Sequence, residues 1–236
     1  PCGKWGCVPK KAMWRAAGLS QRIDLASRMG FALPTPKLDW REFIVHRQRY
    51  IAGIHDSYRK RLDAAGIVHL PCRGHFVDAH TVETHQGLRV TAAHVLIATG
   101  GKPVRPDIEG AALGLVSDDF FNFCDAPGRV AIVGGGYIAV ELAGVLQALG
   151  SKVDMFVRGS RLVDSFDVEL TDELADNLRQ HGIHAHFALP VTALEPASGG
   201  QVKGVTGSGG PAEAFDKVIF ATGRTPNSTG LALEAI

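Results

Sequence analysis

The chain has 236 residues, long enough for one large or two ordinary domains, with 45% hydrophobic and 21% charged residues. Its formal net charge of +1 gives no global basic field of the kind nucleic-acid binding needs, and no apolar run approaches the roughly 18 residues of a membrane span. Four cysteines are too few for a disulfide scaffold and fit a reducing compartment with one reactive pair, so a cytoplasmic location is expected. The chain begins at Pro1, shows no signal peptide and carries its first motif at the extreme end, so it reads as a fragment.

From Val8 to about Arg28 the sequence predicts a helix, with Pro9 in the first turn, where its missing N–H costs nothing. Gly30, Pro34 and Pro36 break it, and a second helix is expected from about Trp40 to Ala65, ended by Gly66. Residues 67–99 read as short strands at Ile67-Val68, Phe76-Val77, Thr81–Glu83, Leu88–Val90 and Val95–Thr99, with a boundary marked by Pro103 and Pro106. Val130–Val133 is an apolar run short enough for a fully buried parallel strand. A glycine turn, a helix from Tyr137 to Leu149, a strand at Val153–Val157, a helix over about 167–181 and a strand at 217–221 follow. Residues 199–210 read as an exposed turn. Strands alternating with helices predict an α/β chain with a parallel sheet.

Gly134-x-Gly136-x-x-Ala139 lies between the buried strand and the amphipathic helix, where a dinucleotide-binding turn belongs. Gly134 permits the tight turn, Gly136 lets backbone approach a pyrophosphate, and the helix N-terminus supplies N–H donors and positive potential. A glycine-rich turn without a ligand is the alternative. The end of the next strand usually carries an acid for the ribose 2′-OH of NAD. Here Val157-Arg158, followed by Arg161, stands at that place. Arginine pairs with a 2′-phosphate, which favours NADPH, although Arg158 also reads as an ordinary surface arginine.

Cys2 and Cys7 are five positions apart and form a disulfide only if the residues between them loop. Cys7 would open a helix whose dipole favours a thiolate, with Lys10 and Lys11 adding positive charge. That environment suits a redox-active cysteine better than an inert bridge, and no neighbouring Cys or His completes a zinc site. Cys72 and Cys124 lack such lysines and are expected to be small buried hydrophobes.

Gly6-Cys7-Val8-Pro9-Lys10-Lys11, Ala98–Gly101, Gly136-Tyr137-Ile138-Ala139-Val140-Glu141 and Ala221–Asn227 together resemble the flavin-dependent pyridine nucleotide–disulfide oxidoreductases, most of all the glutathione reductase branch. The resemblance implies part of an FAD-binding domain over residues 1–105, then a Rossmann-like NADPH-binding domain over 106–236, the last residues returning toward the FAD domain. It implies electron flow from NADPH through FAD to the cysteine pair and on to glutathione disulfide, in a homodimer. Cys7 would face the flavin, Cys2 would attack substrate, and Lys10 would pair with Glu141 beside the flavin. Gly74, His75, Thr99 and Gly100 match positions near FAD. Gly135, Tyr137, Ile138, Glu141, Arg158 and Gly223 match positions touching NADPH, with Tyr137 as a lid. Tyr50 and Tyr58 match residues lining a glutathione disulfide pocket, and the basic run Arg59-Lys60-Arg61 suits an anionic substrate. Two departures stand out: Gly3-Lys4-Trp5 lies between the cysteines, and Asp164 takes the place of the family's second phosphate-binding arginine, three positions after Arg161. The resemblance also implies that the family's acid–base histidine lies outside this chain, which alone would not turn over.

Overall fold

The computed structural model describes residues 6–32, 38–207 and 214–236. Helix α1 (Cys7–Arg28) starts behind Gly6, and Gly30, at φ +93°, turns the chain out of it. Helix α2 (Trp40–Ala64) is capped by Asp39, whose Oδ1 accepts from the backbone N–H groups of Arg41 at 2.9 Å and Glu42 at 3.1 Å. Strands β1 (Gly74–Asp78), β2 (Thr81–Thr84), β3 (Arg89–Thr91), β4 (Gly101–Pro103), β5 (Leu115–Val116) and β6 (Arg129–Val133) follow. Then come α3 (Tyr137–Ala148), β7 (Lys152–Phe156), α4 (Val168–Gln180), β8 (Ile183–His186), β9 (Val191–Pro196), β10 (Val202–Thr206), β11 (Lys217–Phe220) and β12 (Arg224–Pro226).

The chain divides into two compact units that interleave in sequence. One comprises Pro1–Ala52 with Pro103–Gly223, the other Gly53–Lys102 with Arg224–Ile236. The first is built on a five-stranded, all-parallel sheet in the order β5-β11-β6-β7-β8. Its central strand shows why an unbroken apolar run makes a parallel strand. Val130 and Ile132 point into the core that holds α3, α4 and α1's Met13 and Ala17, while Ala131 and Val133 point into a second core with Leu194, Val202 and Phe215. Both faces of β6 are therefore dry, and alternation of polar residues is lost. Strands β9 and β10 pair antiparallel and cover that second face through Leu194 and Val202.

The second unit holds the antiparallel sheet β1-β2-β3, with Phe76 opposite Val82 and Val82 opposite Val90. A two-stranded ribbon, β4 with β12, lies beside the return of the chain, where Phe76 N–H donates to the Leu231 carbonyl at 2.9 Å.

Three expectations need correction. Ile67-Val68 and Val95–Thr99 form no strand: an extended apolar segment becomes a strand only when a neighbouring strand takes its N–H and C=O groups, and no strand among the described residues pairs with them. Leu96 is 89% exposed. Residues 199–210 are more than a turn, because Val202–Thr206 pairs with β9 after the Ser198–Gly200 turn. Neither Cys72, half-buried, nor Cys124, exposed, is a core residue. Cys124 lies in the loop after the Asp119–Asn122 turn, where the neighbouring Phe120, Phe121 and Phe123 take the interior places instead.

That phenylalanine cluster docks the β5–β6 connection, with Phe120 fully buried and its ring 5.1 Å from Phe121 and 5.6 Å from Phe123, both edge-on. Arg47 of α2, 1% exposed, reaches the same loop, donating through Nη2 to the Phe121 carbonyl at 2.7 Å. Burial lowers its pKa, partly offset by Cys124 nearby. Phe120→Ala is expected to cost about 3–5 kcal/mol, seen as a lower urea midpoint at unchanged slope.

Asp216 ties the approach to β11 to the start of β6. Its carboxylate accepts from Gln201 Nε2 at 2.8 Å and from the Arg129 backbone N–H at 2.8 Å. The Gln201 bond, followed by the Arg129 bond, holds its pKa below the ordinary aspartate value. A depressed carboxylate stabilises the fold above its unfolded pKa of about 3.9, and that contribution drains away as pH falls through the folded value. Melting temperatures recorded from pH 7 down to pH 3 are therefore expected to fall less steeply for Asp216→Asn than for the parent, from a lower start.

Candidate dinucleotide and thiol site

At the carboxyl ends of β6, β7 and β11 the chain makes a cavity of about 500 Å³, lined by the Gly134–Ile138 turn, Phe156–Gly159, Arg161, Asp164 and Ala221–Gly223. Ligands in open α/β sheets bind at this end of the strands. Each turn glycine has its own reason. Gly134 sits at φ +138°, and a Cβ there would overlap the Ala221 carbonyl. A Cβ on Gly135 would lie 2.7 Å from Val157 Cγ1. At Gly136 nothing lies within 4 Å of a Cβ position, so backbone there is open to a ligand. That contrast fits a pyrophosphate lying against Gly136 while its neighbours pack on the strands. Ala139 is fully buried in the slot where helix meets sheet.

Helix α3 begins at this turn with Gly136 as N-cap, no side-chain cap and no acidic residue in its first turn. Its N-terminal N–H groups and positive dipole end therefore stay available to an anion. Tyr137, 63% exposed, and half-buried Ile138 stand at the mouth. Arg158 is exposed and Arg161 half-buried, and neither is in an ion pair among the described residues. Gly223, at φ +128°, closes the far side, its carbonyl accepting from Val104 N–H at 2.9 Å.

Cys7 is exposed at the first position of α1, with no acid in that turn, Lys10 closing it and Lys11 next after it. Lys10 Nζ lies 2.6 Å from Glu141 Oε1 of α3, a contact spanning 131 residues of sequence. A partly exposed pair of this kind contributes at most about 1 kcal/mol to stability. Its structural effect is to join the start of α1 to the helix that opens on the glycine turn, and α1 and α3 also share a core through Met13, Ala17, Leu142 and Leu146. Cys2 and Gly3-Lys4-Trp5 lie outside the described residues.

In the other unit Gly74 and His75 begin β1, opposite Thr84 and Glu83. A Cβ on Gly74 would lie 2.8 Å from Val82 Cγ1, so glycine keeps β1 against β2. Thr99 and Gly100 are exposed, and Gly100, at φ +70°, accepts from Asn227 N–H at 2.8 Å. Tyr50 and Tyr58, eight positions apart on α2, are 45% and 52% exposed. Arg59 is tied to Asp56 at 2.9 Å.

Two features of this unit went unread in the sequence. Asp154, buried in β7, accepts from Arg129 Nη2 at 2.9 Å and meets His186 Nε2 at 2.9 Å, while the His186 ring stacks on Phe156 at 5.2 Å. A lone carboxylate in an apolar strand was the available signal. The second is Val163, a β-branched residue at φ +39°, whose N–H donates to the Gly135 carbonyl at 2.7 Å. No sequence pattern announces it, since left-handed backbone selects glycine or asparagine.

A family model described as pyridine nucleotide-disulphide oxidoreductase matches residues 1–236. The glutathione reductase of Burkholderia cepacia is 36% identical over 231 residues, covering 98% of this chain and 51% of that protein. The chloroplastic/mitochondrial glutathione reductase of Pisum sativum is 36% identical over 232 residues, covering 98% and 42%. The chain thus spans about half the length of the curated relatives it matches. Among solved structures, the HOCl-induced flavoprotein disulfide reductase RclA from Escherichia coli superposes with a TM-score of 0.84 over 99% of this chain and 50% of its own. At 24% identity that likeness concerns the fold alone.

Gly134→Ala is expected to weaken dinucleotide binding at least tenfold, because the turn must move off the Ala221 carbonyl before it can present its N–H groups. Fluorescence titration with a reduced nicotinamide dinucleotide measures this; unchanged affinity would show that the turn does not hold the ligand.

Proposed function

The chain belongs to the pyridine nucleotide-disulphide oxidoreductase family, and from that premise we propose that the protein carrying it is an NADPH-dependent glutathione-disulfide reductase. The reaction is NADPH + H⁺ + glutathione disulfide → NADP⁺ + two glutathione. Residues 106–236 form the NADPH domain in this reading and 1–105 belong to the FAD domain, in a homodimer located in the cytoplasm. The observation that carries it is the 2.6 Å contact between Lys10 and Glu141, which joins the Cys7 helix to the dinucleotide helix.

The chain's own residues divide the work. The Gly134–Gly136 backbone and the N-terminus of α3 would hold the pyrophosphate, Arg158 and Arg161 would meet the 2′-phosphate, and Tyr137 at the mouth would act as the lid. Gly74, His75, Thr99 and Gly100 hold FAD, which when bound supplies two-electron transfer from the nicotinamide to the cysteines. Lys10, kept in place by Glu141, would favour negative charge developing on a bound flavin. At the head of α1, with Lys10 closing the first turn and Lys11 next after it, Cys7 is favoured as thiolate. Cys2 attacks the substrate disulfide, releasing one glutathione thiolate, and Cys7 then displaces the second as the Cys2–Cys7 bond re-forms. Exposed Tyr50 and Tyr58 offer aromatic faces to the glutathione disulfide, and the charges of Lys60 and Arg61 favour its carboxylates.

The test uses the full-length protein with NADPH and glutathione disulfide, NADH in parallel, and the visible spectrum recorded. A yellow protein that oxidises NADPH only when glutathione disulfide is present is expected. Lys10→Met is expected to lower that turnover more than tenfold while dinucleotide affinity stays within about twofold. A colourless protein without turnover would leave a dinucleotide-binding protein and end the reductase reading.

A further inference from the structure

We propose that Cys124 is an oxidation site for hydroperoxides, its sulfinate product supplying the anion that the buried guanidinium of Arg47 lacks. The inference is independent of the reductase reading and of the dinucleotide cavity.

Arg47 is a cation without a counter-ion. It is 1% exposed, and its polar contacts are with neutral groups: Nη2 donates to the Phe121 carbonyl at 2.7 Å, and Nη1 lies 3.5 Å from the Met13 sulfur. Its Nε is buried with no hydrogen-bond partner. No carboxylate among the described residues pairs with this side chain. Buried charges are ordinarily paired, and an unpaired one is costly. The unfilled N–H and the unmatched charge both call for an anion.

Cys124 stands where that anion can be made. Phe121, whose carbonyl Arg47 holds, lies in the Asp119–Asn122 turn, three positions before Cys124. Buried Phe120, Phe121 and Phe123 pin this connection to the core. Cys124 itself is exposed, its Sγ donating to the Asn122 carbonyl at 3.6 Å. The acids that share its hollow are engaged elsewhere: Asp119 accepts from Val116 N–H at 2.9 Å, and Asp125 meets Arg41 Nε at 3.3 Å. Burial pulls the Arg47 guanidinium below the usual arginine range and the Cys124 thiol works against that shift, so the two groups sense each other.

The chemistry follows from this pairing. Thiols react with peroxides as thiolates, and exposure beside a cation favours the reaction. The sulfur attacks one peroxide oxygen, and an S–O bond forms as the O–O bond breaks. The leaving oxygen takes a proton and departs as an alcohol, or as water from hydrogen peroxide. Cys124 gives up two electrons and becomes a sulfenic acid. A second hydroperoxide repeats the exchange and yields a sulfinate, anionic at neutral pH. Its two oxygens resemble those of a carboxylate, which a guanidinium fork binds. The product gains an ion pair that the neutral thiol cannot make.

The full-length protein, without added thiol or nicotinamide, is treated with hydrogen peroxide and its cysteine peptides are analysed by mass spectrometry. Cys124 is expected to gain two oxygens at doses that leave half-buried Cys72 unchanged. The melting temperature should rise by about 2 °C with that gain, and not rise in Cys124→Ser. Arg47→Met is expected to slow the oxidation at least fivefold. Because Arg47 also holds the loop, Cys124→Asp gives a reading that leaves it in place: its carboxylate should raise the melting temperature above that of Cys124→Asn. Oxidation of Cys72 ahead of Cys124, no oxygen gained at Cys124, or equal melting of Cys124→Asp and Cys124→Asn overturns the inference.

Discussion

Three backbone hydrogen bonds hold the Gly134–Gly136 turn and the end of β6 that leads into it. Gly134 N–H donates to the Phe156 carbonyl at the end of β7, Ala221 N–H beyond β11 donates to the Val133 carbonyl, and Val163 N–H donates to the Gly135 carbonyl. Backbone from β6, β7, β11 and the Val163 loop therefore meets within one turn, and space for side chains runs out there. That convergence forces glycine at 134 and 135 and leaves Gly136 as the residue with room beside it. The cavity, the direction of α3 and the placement of Arg158, Arg161 and Asp164 all follow from how closely these backbones approach.

From the turn, order propagates along α3. The buried side of that helix, through Ala139, Leu142, Ala143 and Leu146, joins the core that also takes Met13 and Ala17 of α1, so the position of α1 is set by packing. The Lys10–Glu141 contact adds a polar tie between the two helices and little stability. A thiol at the head of α1 and the glycine turn at the head of α3 are parts of one packed unit, although Cys7 and Gly136 are 129 positions apart.

Much of this was legible in the sequence because local chemistry and tertiary demand agree. The α3 turn announced itself by its glycines, β6 by an apolar run dry on both faces, and α2 by Gly66 behind it. Where the two disagree, the sequence misled. Val95–Thr99 has strand composition but no neighbour, and pairing is non-local. Cys124 has the character of a core residue but sits beside phenylalanines that fill the core first. Strand β10 lies in a stretch whose glycines read as a turn, and only its register with β9 makes it a strand. The Asp154 network and the left-handed Val163 depend on what stands across the sheet, which no single segment records. Cofactor positions on β1 and near Gly100 rested on family resemblance, since nothing local distinguishes His75 from any half-buried histidine.

The open segment around Leu96 has a consequence of a different kind. Five consecutive residues of apolar or β-branched character, uncharged and free of proline, stand in water with their backbone groups unpaired by any described strand. Such a ribbon pairs readily with its own copy in another molecule. At Val95–Thr99 the second unit therefore offers a strand position that its own described strands leave unfilled.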